Sequence, residues 1–275
     1  RRELARTRAA PGVGGRLPAV RVAWTAPAYH AVASPRVSIV TALYNHANWI
    51  SEALGSVAGS AYRDLEVVVV DDGSSDGSGD RVRGWSQANP EIPLLVLHHP
   101  LNRGLPSARN SGLDFARGEF VLILDSDNKL SSGCLTRLVE ALEGDPGAAF
   151  AYGMLATFDD EGYKRLISHI PWDPPRLRHG NYIDALALLR TSVLRELGGY
   201  TLDRRLYGWE DYDLYCRLAE RDDRGVFVPE VVAYYRQSPA SMRSLTDIST
   251  VTAFAALAER CPNLMRGAVA RDDWR

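Results

Sequence analysis

Glu119-Phe120-Val121-Leu122-Ile123-Leu124-Asp125-Ser126-Asp127 is the stretch from which the fold is read. The apolar run Phe120 to Leu124 is short and rich in β-formers, and it predicts a strand buried on both faces. It runs directly into two acids. Carboxylates at the C-terminal end of a buried strand lie where open α/β sheets bind ligands. Two of them one residue apart suit a hard divalent cation that also holds substrate phosphates. A solvated acidic turn after a core strand is the plain alternative.

The pattern recurs upstream. Val37 to Leu43 predicts a first strand, broken by Tyr44-Asn45-His46, with Asn48 expected to cap a helix to about Ser60. Leu65 to Val70 is a second apolar strand ending in Asp71-Asp72-Gly73-Ser74-Ser75-Asp76. A short helix (79–88), a strand from Leu94 to His98 and a helix to Ala116, opened by Asn102 to Gly112, follow. Helix N-termini of the last kind attract phosphate. Beyond the central strand, Ser131 or Ser132 is expected to cap a helix to about Leu142, and Ala148 to Tyr152 reads as another strand. Strands and helices alternating at this spacing predict an α/β fold: one mostly parallel central sheet flanked by helices, with right-handed crossovers.

The second half is less regular. Residues 157–181 read as loop, 183–197 as helix, Trp209 onward as a helix with acids in its first turn, 225–235 as one or two short strands around Pro229, and 246–259 as a last helix. No Gly-x-Gly-x-x-Gly follows the first strand, and no Gly-x-x-x-x-Gly-Lys-Ser/Thr loop exists, which weighs against a dinucleotide oxidoreductase and a P-loop nucleotidase.

Composition sets the outer bounds. The chain has 275 residues, 45% hydrophobic and 24% charged, with a net charge of −2, an ordinary globular balance that gives no argument for nucleic acid. The three Cys are far apart and fit reduced thiols in a cytoplasmic protein rather than a disulfide framework. No apolar run approaches a membrane span, and no signal-peptide pattern is present. A chain beginning at Arg1 without Met fits a piece of something longer. Residues 1–35, rich in Arg, Gly and Pro, are expected to form a basic arm or linker, with an organised domain from 36.

With these pieces placed, the chain resembles the inverting family-2 glycosyltransferases of the type-A fold. Five motifs carry the likeness in the family's order: Val37 to Asn45, Val70 to Asp76, Asn102 to Asn110, Leu124 to Asn128, and Gly198-Gly199-Tyr200 followed by Gly208 to Leu214. The resemblance implies a nucleotide half at about 36–128, an acceptor half at about 129–245, and a C-terminal helix and tail at 246–275. It implies that Ala42 and Tyr44 pack against the nucleoside, that Asp72 binds the uracil, and that Asn102 and Arg109 approach the nucleotide and its phosphates. Asp125, Ser126 and Asp127 match the Asp-x-Asp motif, with Asp125 and Asp127 holding ribose and a diphosphate-bound Mn²⁺ or Mg²⁺. Asp211 matches the catalytic base, with Glu210 beside it. The implied donor is a nucleoside-diphosphate sugar, most simply a UDP-sugar. The acceptor is a carbohydrate, a lipid-linked molecule, a peptide or a small molecule.

Two departures stand out. Many relatives carry a metal-binding His shortly after the last strand, where this chain has Gln237 or Ser238. The Gln-x-x-Arg-Trp motif of processive synthases is absent, which implies addition of one or a few sugars. Plain readings stand beside the functional ones: Glu210 and Asp211 as dipole-matching first-turn acids, Arg109 as a salt-bridge partner, Trp209 as a core aromatic, and His98 and His99 as loop residues. A non-catalytic nucleotide- or glycan-binding module, and a nucleotidylyltransferase, are the competing functions. The latter lacks its Gly-rich basic loop after the first strand.

Overall fold

In the computed structural model, which describes residues 20–237 and 249–268, ten strands form one sheet. They are β1 (Arg21–Thr25), β2 (Val37–Leu43), β3 (Leu65–Asp71), β4 (Leu94–His98), β5 (Phe120–Ile123), β6 (Lys129–Leu130), β7 (Ala148–Asp159), β8 (Gly162–Ile167), β9 (Leu188–Arg190) and β10 (Arg224–Arg236). The helices are α1 (Pro27–Ala31), α2 (Ile50–Ala58), α3 (Ser78–Ala88), α4 (Leu105–Phe115), α5 (Cys134–Gly144), α6 (Thr191–Glu196), α7 (Glu210–Glu220) and α8 (Thr250–Arg260). The strand order is β1-β4-β3-β2-β5-β9-β7-β10-β6, with β8 paired to β7. Strands β2 to β5 pair in parallel, as do β7 and β10, while β1, β6, β8 and β9 run antiparallel to their neighbours. The expected α/β architecture is thus present.

Alternation along the strands makes two cores. Ile39, Leu43, Val67 and Val69 point to the face covered by α2 and α3, whereas Val40, Val68, Val70 and Leu97 point to the face covered by α4. Gly112 of α4 sits where a Cβ would press on the side chains of Val40 and Val70, so the helix rides close on β2 and β3. The turn into β5 is held from below. Glu66, fully buried, accepts from the Ser38 hydroxyl (2.6 Å) and from the Arg117 amide and Nε (both 2.7 Å), and the Gly118 amide donates to Ser38 Oγ (2.8 Å).

Several local expectations are corrected. Asn48 does not cap α2; Trp49 stands at the N-cap without a side-chain bond, and the carbonyl of His46 takes the first amides. Likewise Gly133, not Ser131 or Ser132, is the N-cap of α5. The stretch read as a helix from 183 to 197 splits into β9 and α6: its apolar run fits either period, and the gap between β5 and β7 selects a strand. Residues 225–235 lie in one long strand whose register shifts near Pro229. Part of the supposed loop at 157–181 is the hairpin β7–β8. Within the stretch expected as an arm, Arg21–Thr25 is instead an edge strand on β4, because that edge offers unpaired backbone groups. Ser238 and residues 1–19 lie outside the described residues. No described helix is long and apolar enough to cross a membrane, and all three cysteines are free and buried.

Replacing Glu66 by Ala should lower stability by about 2 kcal/mol, since the Ser38 hydroxyl and the Arg117 amide lose their buried acceptor. Urea unfolding checks this, with Glu66→Gln expected to lose less. Equal midpoints for parent and Glu66→Ala would show that the turn into β5 is held by packing alone.

Candidate active site

The C-terminal ends of the parallel strands bring the distant motifs together on the α4 side of the sheet. The centre is Arg109, which α4 carries to a position only 3% exposed. Its guanidinium donates to Asp125 Oδ1 (2.8 Å), lies 3.9 Å from Glu210 Oε1, and stacks over the Tyr200 ring at 5.2 Å. Asp125 comes from the end of β5, and Glu210 opens α7. The acid clusters at 125–127 and 210–211 therefore meet through one cation.

Tyr200 reaches Arg109 because the neighbouring Asn110 clamps its backbone. Asn110 Oδ1 accepts from the Tyr200 amide (2.7 Å) and Nδ2 donates to the Tyr200 carbonyl (2.8 Å). Gly198 and Gly199 are both left-handed (φ 76° and 75°), and a Cβ on Gly199 would collide with Asn110, so two glycines are needed to deliver the tyrosine.

The two acids that begin α7 differ. Glu210 is 3% exposed, and its Oε2 has no hydrogen-bond partner among the described residues. Asp211 is half-buried, with Oδ1 accepting from the Tyr212 amide (2.8 Å) and Oδ2 from Asn181 Nδ2 (3.2 Å). Burial pushes both carboxyls above their ordinary pKa, and the charge of Arg109 pulls both back. Asp213 points away and binds Arg217 (2.7 Å) and Arg260. Trp209 stacks on Tyr212 and meets Phe254 edge-on, as a core aromatic does.

Asp125 and Asp127 share one turn with the buried Ser126, whose hydroxyl meets His46 Nδ1 at 2.7 Å. Burial, and then the charge of Asp125, push the Asp127 carboxyl up to about 7. Arg236, at the end of β10, steadies this turn: its Nε donates to the Asp127 carbonyl (3.2 Å) and its amide to Asn128 Oδ1 (2.9 Å). Among the described residues no three His, Cys, Asp or Glu side chains converge as a metal-binding group. The backbone N–H of Gln237 donates to the Phe158 carbonyl (2.8 Å). The donor set still fits a hard cation, because two carboxylates faced by Arg109 and Arg236 among the described residues leave positions for water and phosphate oxygens.

The positions expected to receive a nucleoside lie as follows. Ala42 is partly buried at the end of β2, and Tyr44, just beyond it, is 47% exposed. Asp72 is only 2% exposed and already accepts from His99 Nδ1 (2.6 Å), the Arg103 amide (3.0 Å) and the Gly104 amide (2.9 Å). Asn102 Oδ1 also accepts from the Gly104 amide (3.0 Å). These bonds fix the loop that leads into α4.

Sequence reading missed His99, Asp184, Asn181 and Arg236. His99 lies in the loop just beyond β4, as expected, but is fully buried there and links Asp72 to Ser111 (2.9 Å). The available signal was alternation: Leu95, Leu97 and position 99 share the face that α4 covers. Asp184 stands between β8 and β9, and burial, followed by the charge of Asp125, pushes its carboxyl up to about 7. No motif marked it or Asn181.

Residues 38–206 match the profile of Glycosyl transferase family 2, more than half of the chain, and the protein belongs to that family. The chain is 30% identical over 203 residues to a pre-mycofactocin glycosyltransferase of Mycobacterium tuberculosis, covering 70% of this chain and 41% of that one. It spans 23% of a longer uncharacterised relative from Sinorhizobium fredii, with 29% identity over 216 residues. Its fold is that of Staphylococcus aureus TarS 1–349, solved with UDP-GlcNAc (TM-score 0.69, 19% identity, 83% of this chain and 67% of that one). It is also that of the mannosyltransferase PcManGT of Pyrobaculum calidifontis, solved with GDP-Man and Mn²⁺ (TM-score 0.63, 24% identity, 87% and 66%). The architecture is therefore the type-A glycosyltransferase fold.

The raised acids carry a stability consequence. Asp127 and Asp184 keep their protons up to about pH 7 when folded, whereas an unfolded Asp loses its proton near ~4. Between those values the folded state binds more protons, so raising the pH through the window lowers stability. At pH 8 in EDTA, Asp127→Asn should melt about 2–4 °C above the parent, the shift that about 1 kcal/mol makes in a domain of this size. The gain should shrink as the pH falls toward about 4. Equal melting temperatures at both pH values would show that ionised Asp127 carries no penalty.

Proposed function

We propose that the protein is a metal-dependent, inverting, non-processive glycosyltransferase that moves a sugar from a nucleoside-diphosphate sugar, a UDP-sugar in the first instance, to an acceptor hydroxyl. The observation that carries this reading is the meeting of the Asp125 turn and the start of α7 at Arg109. It sets a donor-side acid pair opposite a half-buried carboxylate on the acceptor side. Asp211 is the general base: its Oδ1 is fixed by a helix amide, and its remaining lone pairs take the proton of the acceptor hydroxyl. As that oxygen bonds to the sugar's anomeric carbon, the bond to the diphosphate breaks and its electron pair leaves with the nucleotide. Direct displacement at one carbon inverts its configuration.

Glu210 is the buried partner of Arg109 and supports the site from behind. Asp125 and Asp127 would hold Mn²⁺ or Mg²⁺, which when bound offsets the negative charge developing on the leaving diphosphate. Ala42, Tyr44 and the loop braced by Asp72 and Asn102 receive the nucleoside. A uracil-accepting site finds support in the UDP-GlcNAc complex of TarS, and the GDP-Man complex of PcManGT supplies the second donor to try.

Calorimetry with UDP and GDP, with and without Mn²⁺, should show metal-dependent binding that Asp127→Ala loses. Asp211→Asn should cut transfer from the matching nucleotide-sugar by at least about 10²-fold while binding the nucleotide like the parent. A parent protein that binds neither nucleotide overturns the donor site. Tight binding without turnover of any donor would instead favour a non-catalytic binding module.

A further inference from the structure

Asn181 lies in the connection between β8 and β9, outside the motifs that place the site, and its side-chain amide is oriented from both ends. Oδ1 accepts from the Ile183 amide at 3.2 Å, which turns Nδ2 toward Asp211 Oδ2, also at 3.2 Å. The same connection is tied again to the helix that carries Asp211, because the Tyr215 hydroxyl donates to the Asp184 carbonyl at 2.7 Å. We infer that Asn181 is the positioning residue of the proposed base: it fixes the rotation of the Asp211 carboxylate and aims its free lone pairs at the incoming acceptor hydroxyl. The inference rests on the reading of Asp211 as that base.

The geometry also sets the charge state. Asp211 is faced by Arg109 from α4, Asp125 from beyond β5, Asp184 from the β8–β9 connection, Tyr200 from beyond α6 and Tyr235 from β10, with Glu210 beside it on its own helix. Arg109 is the one cation in that set, and Asp125 and Glu210 already compete for it. Burial drives Asp211 toward its protonated form, while Arg109 and the Tyr212 amide oppose this. A neutral N–H held against the second oxygen adds to the opposition without a further charge, since hydrogen bonding to the ionised form favours it. Asn181 itself is exposed, so replacing it leaves the core untouched.

The test is the pH titration of the Asp211 carboxyl carbon by ¹³C NMR, with the signal assigned by its loss in Asp211→Asn. It is run on the parent, Asn181→Ala and Asn181→Asp, without donor or acceptor. Asn181→Ala should move the midpoint upward, and Asn181→Asp further upward, because a carboxylate then faces the base. In turnover of UDP-GlcNAc or GDP-mannose with Mn²⁺, Asn181→Ala should lower kcat about tenfold, the worth of one hydrogen bond. The donor KM should hold, and the acidic limb of the kcat/KM profile should shift in the same direction. Unmoved midpoints in both variants overturn the inference. Transfer surviving in Asp211→Asn overturns the base reading itself, whereas an inactive Asp211→Asn beside an Asn181→Ala indistinguishable from the parent sinks only the role of Asn181.

Discussion

Everything in the site depends on burying one guanidinium. Arg109 is almost without solvent, and a charge so placed is tolerable only when paired. Its partners come from both halves of the chain: Asp125 from the end of β5 and Glu210 from the first turn of α7. The helix that carries Arg109 also carries Asn110, which clamps the backbone of Tyr200 and so lays a ring on the guanidinium. One turn of α4 thereby determines where Asp125 and its turn stand relative to α7. Loss of the cation would leave several carboxylates facing one another in a poorly solvated space.

The charge balance argues for the kind of ligand that completes the site. Asp125, Asp127, Asp184, Glu210 and Asp211 lie close together, with Arg109 and Arg236 as the cations beside them among the described residues. Burial pushes four of those five acids upward. A diphosphate entering this field alone would be repelled, whereas a divalent cation at the Asp125–Asp127 turn would reverse the sign of the local potential. The same cation would relieve the penalty that Asp127 bears when ionised. Arg236 holds the carbonyl of Asp127 rather than its carboxylate.

Legibility in the sequence followed locality. The strands β2 to β5 were readable to within about a residue because each is a short apolar run bounded by turn residues. The acids at their ends were readable because open sheets place ligands there. What failed depended on distant partners. β9 exists because β5 and β7 leave a gap, and β1 because β4 has a free edge; neither reason is local. The loop place of His99 was readable, but its burial was not, although alternation from Leu95 aims it inward. Asn181 and Asp184 lie in an irregular connection whose approach to α7 is set by tertiary packing, through bonds such as Tyr215 to Asp184.

The two strand ends that finish in acids look alike in sequence and do different work. On β3 the adjacent acids diverge, because neighbours on a strand face opposite sides. Asp71 turns toward α3, accepts from the Ser74 amide (3.0 Å), and stands 3.5 Å from His98 at the edge of a cavity on that face. Asp72 turns toward α4 and is consumed by His99 and two loop amides. Both brace loops, and the bonds of Asp72 shape residues 102–104 ahead of α4. Beyond β5 the chain has left the sheet, and of Asp125 and Asp127, two positions apart on a turn, Asp125 pairs with Arg109 while no ion pair is made by Asp127 among the described residues. Oxygens left unspent distinguish an acid that can bind a ligand from an acid that only supports a loop. By that measure the Asp125–Asp127 turn, rather than the end of β3, carries the oxygens that suit a hard cation and the phosphates it would hold.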